Sequence, residues 1–132
     1  MRITVVHAVG RIFSDVPVET DLPASPTLED IVNALPGIAG VAAAASPDGS
    51  FAGLEFVDGE MQDWTVEGRA ANGRTWTRSV EAPGRGEASF LAIYEILQES
   101  HAVRPSDVAR LVEGMRRLTI VSVEPERSAP TP

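Results

Sequence analysis

The stretch from Trp64 to Val80 admits two strand registers, and only one of them sorts its side chains. The run centres on Ala71-Asn72-Gly73, where Asn before Gly between β-rich segments signals a hairpin turn. A two-residue loop at Asn72-Gly73 pairs Arg69 with Trp76 and puts Trp64 opposite Glu81, leaving the indoles on different, mixed faces. A three-residue loop with Gly73 as a bulge pairs Gly68 with Trp76, Val66 with Arg78 and Trp64 with Val80. One face then carries Trp64, Val66, Trp76 and Val80. The other carries Thr65, Glu67, Arg69, Thr75, Thr77 and Ser79. A slip of one residue would expose both indoles, so the second register is the expected one. It also lays Trp76 across the bare backbone of Gly68.

Two further Asp-Gly turns, Pro47-Asp48-Gly49 and Val57-Asp58-Gly59, have the same design. They predict a meander from Ser50 onward, with Leu54 and Phe56 extending the inner face of the tryptophan hairpin. The corner Ala82-Pro83-Gly84-Arg85-Gly86 ends it. Glu87 to Gln98 follows at helical spacing, with Phe90, Ile93 and Leu97 expected to pack on Trp64, Val66 and Trp76.

Upstream, Arg2 to Val9 is apolar on both faces, as in a central strand. Gly10-Arg11 turns it into Ile12 to Glu19, which Pro17 marks as an edge strand or cuts short. Thr27 reads as a helix N-cap, with Asp30 in the capping-box position. Leu28, Ile31, Val32 and Leu35 form the apolar stripe, and Pro36-Gly37 is expected to stop the helix. This opening order of strand, hairpin, strand and Thr-initiated helix resembles the start of ubiquitin-like folds. Ile38 to Ala45 reads equally as helix, from its four consecutive alanines, or as a strand. Near the end, Ser106 caps a helix carrying Val108, Leu111, Val112 and Met115, and Leu118 to Val123 is a last strand. The fold class is therefore α+β: an antiparallel β-meander with terminal strands added and two to three helices on one face. Residues 1–124 read as one domain and 125–132 as a disordered tail.

Composition excludes several chemistries. There is no Cys, hence no thiol nucleophile, thiolate metal site or disulfide. All 11 basic residues are Arg, which removes Schiff-base chemistry and the Walker lysine. Arg-only usage with abundant Ala, Gly and Pro points to a GC-rich bacterial or phage genome. A net charge of -8 argues against nucleic acid and anionic membrane as partners. No apolar run reaches membrane length without a charge or Pro, so a cytoplasmic location is expected. His7 and His101 lack the further ligands of a metal site, and no cofactor is expected. His7 could serve as a base only with a carboxylate on a neighbouring strand.

Two surfaces remain as candidate sites. Gly84, Arg85 and Gly86 open a helix, where free backbone N–H groups and the helix dipole attract an anion, with Arg85 as counter-charge. Antiparallel strands, this turn and an apolar helix resemble the acetyl-CoA-binding core of the GCN5-related acyltransferases. That resemblance implies an acyl-CoA site, but the family's motif is not met. Glu81 and Pro83 stand where Arg or Gln should precede Gly84 and Gly86 by three, and Ala88 stands where Arg85 would need Gly. A tight corner that needs two glycines explains the same residues. The second surface is the polar face of Thr65, Glu67, Arg69, Thr75 and Thr77, suited to a protein partner or self-association. The leading reading is a non-catalytic cytoplasmic interaction domain: an adaptor, immunity-type or assembly protein. The alternatives are a small-ligand or acyl-CoA enzyme at residues 83–88 and a homo-oligomeric scaffold or shell subunit.

Overall fold

The computed structural model describes residues 1–45, 50–100 and 108–126. In chain order they form β1 (Arg2–Val9), β2 (Ile12–Glu19), α1 (Leu28–Ala45), β3 (Ser50–Phe56), β4 (Gln62–Arg69), β5 (Thr75–Ala82), α2 (Arg85–Ser100), α3 (Val108–Arg116) and β6 (Thr119–Pro125). The fold is α+β, with two three-stranded antiparallel sheets, ordered β2-β1-β3 and β5-β4-β6. The Pro47-Asp48-Gly49 turn, His101, the Ser106 cap and residues 127–132 lie outside the described residues.

The tryptophan hairpin adopts the register that segregates its faces: Gly68 opposite Trp76, Val66 opposite Arg78, Trp64 opposite Val80. Gly73 takes a φ of 84°, and its N–H donates to the Ala70 carbonyl at 2.9 Å, closing the bulged turn. Trp64 is buried, and its indole N–H donates to the Ala82 carbonyl at 3.0 Å. Burial of a large apolar body with its one polar atom satisfied is what places Trp64 here.

β3 departs from the expected meander. It pairs with β1, not β4, setting Phe56 opposite Ile3 and Leu54 opposite Val5. Leu54 and Phe56 therefore belong to the first sheet, and Val57-Asp58-Gly59 links two sheets in place of closing a hairpin. Periodicity says which face of a strand is apolar and is silent on the neighbour. A register shift beside Gly53 (φ 153°) lets Phe51 join Leu54 and Phe56 on the buried face.

α2 lies between the sheets and is buried on two sides. Phe90, Ile93 and Leu97 share a core with Ile3, Val5, Leu54, Phe56 and the buried stripe of α1. Ala88 and Ala92 face Trp64 and Val66. The expected packing of Phe90, Ile93 and Leu97 on Trp64 and Val66 is thus corrected. The indole needs the space that alanine leaves, and the large helical side chains fill the other side. Trp76 touches both clusters. The rings of Phe56, Phe90, Tyr94 and Phe51 form a chain with centroids 6.0–6.2 Å apart.

The capping box of α1 is present. Asp30 N–H donates to Thr27 Oγ1 at 3.1 Å, and Thr27 N–H donates to Asp30 Oδ2 at 3.0 Å. α1 does not stop at Pro36-Gly37 but continues to Ala45, so Ile38 to Ala45 is helix. Pro36 forfeits one backbone bond, a cost of about 3 kcal/mol. The buried stripe Ile31, Val32, Leu35, Ile38, Ala39 and Ala42 runs unbroken across the proline and offsets it. Among the described helices α1 alone has the length and composition to cross a membrane, with mean hydropathy 1.3 over 18 residues. At the other end β6 runs past Val123 to Pro125, and Glu126 N–H donates to the Asp63 carbonyl at 2.8 Å. Pro125 and Glu126, read from the sequence as the start of the tail, thus lie along β4.

Candidate functional site

Gly84, Arg85 and Gly86 begin α2 beside the start of α1, so two helix N-termini lie next to each other. Close contact fixes this arrangement: a Cβ on Gly86 would stand 1.9 Å from the Pro26 carbonyl oxygen. A cavity of about 570 Å³ opens here between Ala24–Leu28, Asp58-Gly59 and Pro83–Glu87.

The charges in this corner are already committed. The Arg85 guanidinium lies over the Trp64 ring, 5.6 Å from its centroid, and donates to the Val123 carbonyl. It ties α2 to the second sheet. Glu87 is only 3% exposed, and its carboxylate folds back on the helix start, so a Cβ on Gly84 would stand 3.0 Å from Oε1. Burial raises the Glu87 pKa, and a hydrogen bond from its own backbone amide lowers it by less. The protein's own carboxylate thus occupies the end of α2 where a bound anion would sit. Asp58 Oδ2 accepts the Arg2 N–H at 2.9 Å, and Ser89 Oγ donates to the Arg85 carbonyl at 2.9 Å.

Thr65, Glu67, Arg69, Thr75 and Thr77 share the outer face of the second sheet. Glu67 lies opposite Thr77 and Arg69 opposite Thr75. β6 adds Glu124 opposite Thr65, Ser122 opposite Glu67 and Thr119 opposite Arg69. Glu126 crosses this face: its Oε1 accepts from Ser79 Oγ at 2.6 Å and from Thr65 Oγ1 at 2.9 Å. The Ser79 bond first, then that of Thr65, holds the Glu126 carboxyl below its ordinary pKa.

His7 is 1% exposed, and its Nδ1 has no hydrogen-bond partner among the described residues. Ser14 and Phe51 lie opposite it on the neighbouring strands, so the register pairs it with no carboxylate. Among the described residues no group of three or more His, Cys, Asp or Glu is placed to hold a metal ion.

The surface that sequence reading missed is the tip of the β1–β2 hairpin. Ile12 is 72% exposed, Phe13 67% and Val9 43%. β2 is the outer strand of its sheet. Pro17 signals the edge, but an apolar pair at a strand start reads as core until the helices are placed. No family model, curated protein or solved structure matches the chain.

Proposed function

We propose that this protein is a non-catalytic, cytoplasmic interaction domain whose contact element is the β1–β2 hairpin. One observation carries the reading: Ile12 and Phe13, large apolar side chains, stand in water on an edge strand. Native sheets ordinarily blunt such edges with charge, proline or a covering segment, and on β2 these devices, Asp15, Pro17 and Glu19, come only after Phe13. Large apolar side chains exposed at an open edge mark a surface that meets another protein. The polar face of the second sheet is the weaker contact candidate, because Glu126 already engages Thr65 and Ser79. A photo-crosslinking residue at position 13 is expected to give one discrete adduct in cells of the source organism, and the same residue at position 75 none. Adducts from 75 with none from 13 would move the contact to the second sheet.

The cavity beside Gly84 favours a second reading, a small-ligand or acyl-CoA enzyme. Calorimetric titration with coenzyme A and with inorganic phosphate separates the two. Saturable heat from either ligand would give the corner precedence over the hairpin.

A further inference from the structure

We infer that the hairpin's partner is a second copy of this chain, joined edge to edge along β2 in antiparallel pairing with the two-fold axis at Phe13. This deepens the interaction reading above and rests on it.

The free edge of β2 has a defined phase. Thr20 N–H donates to the Met1 carbonyl at 3.0 Å, and β2 pairs with β1 in unbroken register from Val9–Ile12 to Arg2–Glu19. Hydrogen-bonded pairs alternate in an antiparallel ladder. The even-numbered residues of β2 therefore bond to β1, and Phe13, Asp15, Pro17 and Glu19 turn their backbone groups outward. Pro17, which has no N–H, falls on this outward set, where the loss breaks no bond to β1. The open ladder thus runs from the turn to Asp15 and ends at Pro17.

An isologous pair must place its axis on a residue or between two. With the axis at Ser14, Phe13 would oppose Asp15 of the second copy, setting an apolar ring on a carboxylate. With the axis at Phe13, the two Phe13 rings oppose each other, and Arg11, in the turn just before β2, comes beside Asp15 of the second copy. Ile12 then opposes Ser14 and lies diagonal to the second Ile12, within reach across a pair of strands. Among the described residues neither Arg11 nor Asp15 makes an ion pair within the chain. This one register covers Phe13 and Ile12, the two most exposed large apolar side chains described, and pairs both idle charges twice. Complementarity of this kind selects a second copy over a generic apolar partner. The contact is short, so the dimer is expected to be weak and concentration-dependent.

Sedimentation velocity over a concentration series tests it. The wild-type chain is expected to shift from monomer to dimer. Phe13→Asp, and Asp15→Pro, which removes an outward N–H as Pro17 does, are each expected to abolish the shift with unchanged circular dichroism. Arg11→Asp and Asp15→Arg should each weaken dimerisation at least tenfold, and the double swap should restore it. A wild-type monomer at every concentration would overturn the second-copy assignment and leave the hairpin to a different protein. A dimer that survives Phe13→Asp and Asp15→Pro would overturn the hairpin itself. Failure of the charge swap to restore a dimer lost in both single variants would overturn the axis at Phe13.

Discussion

The Trp76 indole lies directly on Gly68: a Cβ added at position 68 would stand 2.2 Å from Cζ2 of the ring. The same added atom would stand 2.7 Å from the Thr119 carbonyl oxygen on β6. Glycine is required here by space on two sides. Gly68→Ala is expected to cost about 2 kcal/mol through displacement of the indole. Urea denaturation at equilibrium measures it, and an unchanged midpoint would contradict the contact.

Glycines elsewhere sort by what surrounds them. At Gly86 the neighbour is the Pro26 backbone, which cannot swing aside, so Gly86→Ala should cost about 3 kcal/mol and separate the starts of α1 and α2. Gly37 and Gly40 have open space around them inside α1. Each change to Ala there should stabilise by about 0.5–1 kcal/mol through helix propensity. Thermal melts of the three variants should therefore move in opposite directions.

The reciprocal bonds between Thr27 and Asp30 predict coupled losses. Thr27→Ala should cost about 1 kcal/mol. Asp30→Ala should cost less, and the double variant less than the sum, because the two bonds stand or fall together. A double-mutant cycle on chemical denaturation gives the coupling directly, and strict additivity would exclude it.

Glu87 makes the fold sensitive to pH. Its folded-state pKa is raised above the ordinary 4.5, chiefly by burial, so folding favours the protonated carboxyl. The sign follows from linkage: this stabilising contribution is whole below pH 4.5 and is lost as pH climbs through the raised value. Glu87→Gln, which is neutral throughout, should melt higher than wild type at pH 7. Paired calorimetric scans should show the gap closing in acid below pH 4.5.

His7 is buried without a partner for Nδ1 among the described residues, and an unmet polar atom of this kind costs roughly 1–3 kcal/mol. His7→Leu should leave the protein at least as stable as wild type by guanidinium denaturation. A large loss would show that the imidazole makes a contact that the register does not.

Much of this architecture can be read from residue order where the physics is local. The β4–β5 register follows from one polar and one apolar face, and the α1 cap from Thr27 and Asp30 three residues apart. Long-range choices are a different matter. Leu54 and Phe56 advertise a buried face but not that β1 lies beside it. Ala88 and Ala92 look like helix filler until an indole needs room. Pro36 is a stop signal whose local cost the buried stripe beyond it outweighs. Within the candidate site, Gly84 to Gly86 do open a helix beside a cavity. That Arg85 turns away to Trp64 depends on β6, which is distant in the chain and supplies the Val123 carbonyl.

The position of α2 between the sheets has an optical consequence. Both tryptophans of the chain sit on the β4–β5 side of that helix, and the sheet built on β1 has none. Indole emission therefore reports on the β4–β5 sheet and, through Trp76, on its contact with the first core, while Tyr94 leans on Phe51 in the other half. If the two halves melt together, emission and far-ultraviolet ellipticity will trace one curve. A gap between the curves would locate the seam at the Ala88–Ala92 side of the helix.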